Sequence, residues 1–168
     1  MSTFNDKAER LEAAVNAILA LQRRVTAAGP WPLAELYGTE AEASWGPPEL
    51  LAHLDEMLPF WLGEVERILE GEPGTPIPFG RVASDSVRIG IIGRDRTVPL
   101  RELFARLSAD GARVARRMRE LSDADAAREG LHQVRGVIPV ATLFERFVTG
   151  HLEEHVSQLR EILDTGTT

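Results

Sequence analysis

The chain has 168 residues, 43% of them hydrophobic, which suffices for one continuous core and would leave two independent domains marginal. It contains no cysteine, so disulfides, thiolate metal ligands and a cysteine nucleophile are excluded together, and any metal must be held by His, Asp or Glu. A formal net charge of -7 argues against a nucleic-acid partner, whose affinity rests on Lys and Arg neutralising phosphates.

No stretch approaches the ~20 uninterrupted apolar residues of a membrane span, and the opening MSTFNDKAER lacks the basic start and apolar run of a signal peptide. A cytoplasmic protein with no membrane partner is therefore expected. Lys7 is the only lysine, an arginine bias that points to a GC-rich bacterial coding sequence.

From Asn5 to Ala28 the apolar residues Leu11, Val15, Ile18, Leu19 and Val25 recur at helical spacing, and Gly29-Pro30 ends the run. Trp31 to Ser44 reads as a connection, with Trp31 and Tyr37 expected to cap one end of the core. A second helix starts sharply at Trp45-Gly46-Pro47-Pro48-Glu49, with Gly46 as N-cap, the prolines in the first turn and Trp45 stapled onto Leu50. It runs to about Glu70 with the stripe Leu50, Leu54, Met57, Leu58, Trp61, Val65, Ile68 and Leu69. Gly71 to Arg96 is a long connection with an extended piece expected at Val87 to Ile92, and loops of this length are often binding loops.

Thr97-Val98-Pro99 opens a third helix with the stripe Leu100, Leu103, Phe104, Leu107, Gly111, Val114, Met118 and Leu121. Ser122 to Ile138 connects it to a fourth, expected from Pro139 to about Asp164 with Val140, Leu143, Phe144, Phe147, Leu159 and Ile162 inward. Four amphipathic helices without convincing strand content predict an all-α four-helix bundle, a single domain over residues 1–168.

The last helix's inward stripe then reads Val140, Phe144, Phe147, His151, His155, Leu159, Ile162, so two histidines occupy core positions. Four residues apart, their β-carbons lie about 6 Å from each other and both imidazoles reach one ion. His53 shares the face of Leu50, Met57 and Trp61 on the second helix, which turns a third imidazole inward. One inward histidine is usually a hydrogen-bonded core residue. Three without a shared partner would be costly to bury, and this shifts the balance to a divalent metal held by His53, His151 and His155 with open coordination positions. His132 falls in an expected loop and reads as structural or surface.

His151-Leu152-Glu153-Glu154-His155 also fits the H-x-x-E-H pattern of inverzincin peptidases. Those enzymes need a further carboxylate well downstream in a large α/β fold, whereas only a short tail follows His155. Glu-rich helices generate such strings easily.

Trp45-Gly46-Pro47-Pro48-Glu49-Leu50-Leu51-Ala52-His53-Leu54 and His151-x-x-x-His155-x-x-Gln158-Leu159 resemble the DinB-like superfamily of metal-binding four-helix bundles, which includes thiol S-transferases and the metal-binding domain of mycothiol-dependent maleylpyruvate isomerase. The resemblance implies that His53, His151 and His155 are the family's metal triad, with nickel or zinc the expected ion, and that the protein is a homodimer. The isomerase's additional C-terminal domain is not expected here, and with it that particular activity is not expected either.

Two functions follow as expectations. One is a metal-dependent transferase in which the ion activates water or a low-molecular-weight thiol for attack on a small electrophilic substrate. The other is a non-catalytic metal-binding or stress-related protein. Gln158 and Glu154 are candidates to orient a ligand or water beside the triad. Arg81, Arg88, Arg94 and Arg96 could hold an anionic group such as a carboxylate, although loop arginines are usually just solvated. Gly111 leaves room either for a ligand or for close helix packing.

Overall fold

A computed structural model describes residues 3–38 and 41–166. Both chain ends and positions 39 and 40 of the Trp31–Ser44 connection lie outside the described residues. The expected first helix is two, α1 (Thr3–Ala20) and α2 (Gln22–Ala28), broken at Leu21. The inward stripe Leu11, Val15, Ile18 and Val25 is buried. α3 (Pro47–Glu70) begins as expected, with Gly46 in an extended conformation at the N-cap and prolines in the first turn.

The first half of α3 is covered on every side. All twelve positions from Pro47 to Leu58 are buried, Glu49, His53, Asp55 and Glu56 among them. Burying a carboxylate is tolerable where it is paired, and Glu49 accepts hydrogen bonds from the Ala34 amide at 2.9 Å and Arg96 Nη1 at 3.2 Å. That pair closes the Trp31–Ser44 connection over the start of α3.

The piece expected to be extended at Val87 to Ile92 is instead helical, within α4 (Ser86–Asp95). The Asp85 carboxylate caps it by accepting from the Arg88 amide at 2.9 Å, and the three-residue spacing of Ile89 and Ile92 turns both inward. They pack with Trp45 and Ala52 in a satellite core, so Trp45 binds this cluster rather than stapling onto Leu50. Its Nε1 donates to the Glu35 carbonyl at 3.2 Å. Trp31 is half-buried, donating to the Val25 carbonyl at 2.9 Å, but Tyr37 is 70% exposed and caps nothing.

α5 (Leu100–Glu120) lies against α1 and α3 and buries its expected stripe from Leu103 onward, Leu100 being half-buried. At Gly111 a β-carbon would fall 2.7 Å from Val15 Cγ2, so this glycine serves close helix packing and not a ligand. A short helix, α6 (Asp123–Ala126), follows, closed by a capping box between Ser122 and Asp125.

The chain does contain strands, contrary to the sequence expectation. β1 (Ile77–Phe79), β2 (Glu129–His132) and β3 (Gly136–Pro139) form a sheet in that order, β1 parallel to β2 and β2 antiparallel to β3. Phe79 is paired with His132, and His132 with Gly136. His132 is therefore a buried strand residue rather than part of a loop.

The last helix begins at Pro139 as α7 (Val140–Leu143), widens into a π-helical turn over Phe144–Thr149, and continues as α8 (Gly150–Thr165). The Gly150 amide donates to the Glu145 carbonyl five residues back, and a β-carbon at Gly150 would lie 2.7 Å from that oxygen. The wider turn takes up an extra residue between Phe144 and His151, so the continuous stripe expected from Val140 to Ile162 is broken. Leu152, His155, Val156, Leu159 and Leu163 are buried in α8, while Phe147, His151 and Ile162 are only half-buried. α1, α3, α5 and the last helix surround one apolar core, in which Phe4 meets Phe144 edge-on at 5.5 Å. Among the described residues no helix is long and apolar enough to cross a membrane.

Candidate metal centre

The fold brings the three predicted histidines together. His53 comes from the fully covered half of α3, and His151 and His155 from the first two turns of α8, just beyond the π turn. His53 Nε2 lies 3.1 Å from His151 Nε2, which lies 3.0 Å from His155 Nε2. His53 and His155 are buried, whereas the His151 side chain is 26% exposed and opens the site to solvent.

A fourth donor was not foreseen. Glu42, in a 3-10 turn at Ala41–Ser44, offers a carboxylate oxygen, and together with the three imidazoles it forms a set of ligand atoms all within 4.8 Å of one another. The same carboxylate is paired with Arg88. Nothing in the aperiodic Trp31–Ser44 connection singled out Glu42, because no repeat fixes which of its side chains face inward.

Each ring is oriented from behind. His155 Nδ1 is 2.9 Å from Gln158 Oε1, which only accepts, so the proton sits on Nδ1 and Nε2 carries a free lone pair. The Gln158 amide nitrogen donates in turn to the Glu42 backbone carbonyl at 2.7 Å, tying α8 to the turn that carries the fourth donor. Glu154, mostly exposed, lies 3.5 Å from His151 Nδ1. Behind His53, Arg88 Nη2 is 3.4 Å and Glu56 Oε2 3.9 Å from Nδ1. Glu56 is buried, paired through its other oxygen with Arg81, and this second oxygen has no hydrogen-bond partner among the described residues.

Burial sets the protonation of the triad. It pushes the His53 pKa well below 6.5, with His155, Arg88, His151 and Arg81 adding to the depression. Burial likewise lowers His151, opposed by Glu42 and reinforced by Arg88. His155 is lowered to about 4, again chiefly by burial and then by His151, while Gln158 and Glu42 oppose the shift. All three rings are thus neutral at pH 7, the state a metal requires.

The donor set fits a divalent ion. Nitrogens sharing one ion at ~2.0–2.1 Å lie roughly 3.0–3.4 Å apart, which brackets both observed separations. His151 Nε2 faces two other ring nitrogens, and a neutral imidazole has only one proton to share between them. A cation at the point of convergence satisfies the Nε2 lone pairs of His151 and His155, and that of His53 once its proton sits on Nδ1, where Glu56 Oε2 stands 3.9 Å away.

His53, His151 and Glu42 line a cleft of about 760 Å³ together with Trp61, His132 and Phe147. Of the four loop arginines that could hold an anion but read more simply as solvated, Arg81 and Arg88 line this cleft and are paired with Glu56 and Glu42. Arg94 pairs with Asp95, and Arg96 with Glu49 and the Ala34 carbonyl, both apart from the cleft lining. Arg135 and Arg146, which the sequence did not single out, line it as well.

A helical bundle whose facing helices turn three neutral imidazoles onto one point defines a class of histidine-rich metal-binding bundles. A family model described as the DinB superfamily matches residues 17–159, and the chain belongs to that superfamily. Comparison with curated proteins and with solved structures gives no match.

Proposed function

We propose that the protein is a divalent-metal-dependent enzyme that joins a low-molecular-weight thiol to a small electrophile, with His53, His151 and His155 as the metal ligands and nickel or zinc as the ion. The observation carrying this reading is the convergence of three ring nitrogens at 3.0 and 3.1 Å beside an open cleft. When bound, the ion lowers the pKa of a coordinated thiol or water and so supplies a nucleophile at neutral pH. The chain has no sulfur nucleophile of its own, since it has no cysteine. Gln158 fixes the tautomer and tilt of His155, and Glu154 is placed to do the same for His151. The covered half of α3 keeps water away from the rear of His53.

Glu42 supports a second reading. Structural sites use four protein ligands and catalytic sites usually three, so a carboxylate closing the set would make the ion a brace and the protein a non-catalytic metal binder. Its pairing with Arg88 holds Glu42 in a competing interaction and favours the open site.

The discriminating experiment is conjugation of small thiols to a panel of electrophiles by metal-loaded protein. The enzyme reading expects turnover that disappears in His151→Ala and on chelation. No turnover with any pair, while Glu42→Ala loses bound metal as fully as His53→Ala, supports the brace; turnover indifferent to metal overturns both readings.

A further inference from the structure

The chain is acidic overall, with a formal net charge of -7, yet four arginines line the cleft beside the triad. Two are committed. Arg81 is paired with Glu56 and stacks 3.7 Å above the Phe60 ring, while Arg88 is bound by Glu42 and donates to the Ala83 carbonyl at 2.7 Å. Arg135 and Arg146 are exposed, and among the described residues neither guanidinium has an ion-pair or hydrogen-bond partner.

Two of the three carboxylates lining the cleft are held by cations, and the third, Glu154, stands beside a neutral ring, that of His151. Glu42 faces Arg88, and Glu145 is held by Lys7 at 2.6 Å and Arg10 at 3.0 Å. Arg135 and Arg146 outnumber that one free carboxylate, so the uncompensated charge of the cleft is net positive, which draws anions into a concave site.

Exposed arginines alone would mean little, but these stand beside an apolar wall. Trp61 and Phe147 stack with centroids 4.5 Å apart and planes 17° from parallel, and His132 stacks on Phe147 at 5.6 Å and 15°. The Arg135 guanidinium lies 5.4 Å over the Phe147 ring. Phe147 is half-buried and stands about one turn before His151 on the last helix, so the wall leads to the triad. The cleft volume of about 760 Å³ is of the size that holds small molecules, roughly 300–1,000 Å³.

We propose that this part of the cleft is the subsite for a small organic carboxylate with a flat, unsaturated or aromatic body. The carboxylate sits on Arg135 and Arg146, the body lies along Phe147 and Trp61, and the far end points toward the three imidazoles. This deepens the metal-enzyme reading and rests on it for what becomes of the ligand, but the binding itself requires no ion.

The test is calorimetric titration with benzoate, acetate and benzyl alcohol, using metal-free protein and protein loaded with one equivalent of zinc. Wild type is compared with the doubly substituted Arg135→Gln, Arg146→Gln chain, in which both changes fall on exposed side chains. The expected result is saturable benzoate binding in both metal states, at least tenfold weaker in the double variant. Acetate and benzyl alcohol bind wild type at least tenfold more weakly than benzoate, and zinc uptake is the same in both chains. The proposal is overturned by benzoate binding that ignores the double substitution, or by binding confined to zinc-loaded protein, which would place the carboxylate on the ion. Benzyl alcohol binding as well as benzoate, or no benzoate binding in either state, overturns it too. Failure of wild type to take up zinc while benzoate still binds through the arginines removes the metal reading and leaves this subsite standing.

Discussion

Asp55 offers a sharp test of how the bundle tolerates buried charge. It sits on α3 two residues after His53, 7% exposed, and neither carboxylate oxygen has a hydrogen-bond partner among the described residues. Burial raises its pKa from 3.8 to about 8, with Arg106 opposing the shift and Asp110 and Asp95 adding to it. The folded chain thus keeps a proton that the unfolded chain gives up near its ordinary pKa. The sign follows directly: this group's contribution is fully present below the unfolded value and is lost as pH rises toward the folded one. Each pH unit costs about 1.4 kcal/mol, so from pH 4 to pH 7 Asp55 costs the fold on the order of 4 kcal/mol. Asp55→Asn removes the titration while keeping the shape. In urea unfolding across that range, the stability of the variant relative to wild type should rise by on the order of 4 kcal/mol, and the difference should level off above the folded pKa. A difference that stays flat from pH 4 to pH 8 would refute the placement of this carboxyl in an apolar setting.

Other outcomes follow from the same packing. Gly111→Ala should cost about 1–3 kcal/mol of stability, because its methyl meets Val15, with metal content unchanged; urea unfolding and metal analysis check both parts. Gly150→Ala pushes a methyl onto the Glu145 carbonyl and disfavours the π turn, so metal affinity should fall while far-ultraviolet circular dichroism still reports a helical protein. Gln158→Ala should weaken metal binding by roughly 10–100-fold through loss of the His155 tautomer, measured by competition with a chromophoric chelator. For metal-free protein, the depressed imidazole pKa values mean that the unfolded chain binds more protons in mild acid. Stability contributed by these rings is present above the unfolded value of 6.5 and should decline as pH falls toward about 4, a decline absent in His155→Ala to the extent that His155 carries it.

The helices and the triad were legible because both are periodic. His53, His151 and His155 stand where the repeat asks for apolar residues, and that departure signals them without any knowledge of the fold. Glu42 was not legible, since a 3-10 turn in an irregular connection carries no repeat to depart from. α4 was misread because Val87, Ile89 and Ile91 alternate like a strand, and the deciding feature was a single cap, Asp85. The hairpin was missed for the opposite reason. Leu131, Val134 and Val137 are 43%, 71% and 50% exposed, so its apolar residues do not mark an inner face. Glu49, Asp55 and Glu56 lie off the apolar stripe of α3, and nothing local shows that α4 and α5 pack against that helix and bury them. The π turn has no signature beyond Gly150, yet it sets the face that His151 and His155 present.

The central claim is that His53, His151 and His155 hold one divalent ion, and metal analysis of protein purified without a His tag tests it most directly. Wild type should carry about one ion per chain, and His53→Ala far less. Nickel or zinc added at about 100 times its dissociation constant should raise the wild-type melting temperature by roughly 5–10 °C. Equally little metal in both chains, with no thermal shift on adding either ion, would contradict the account.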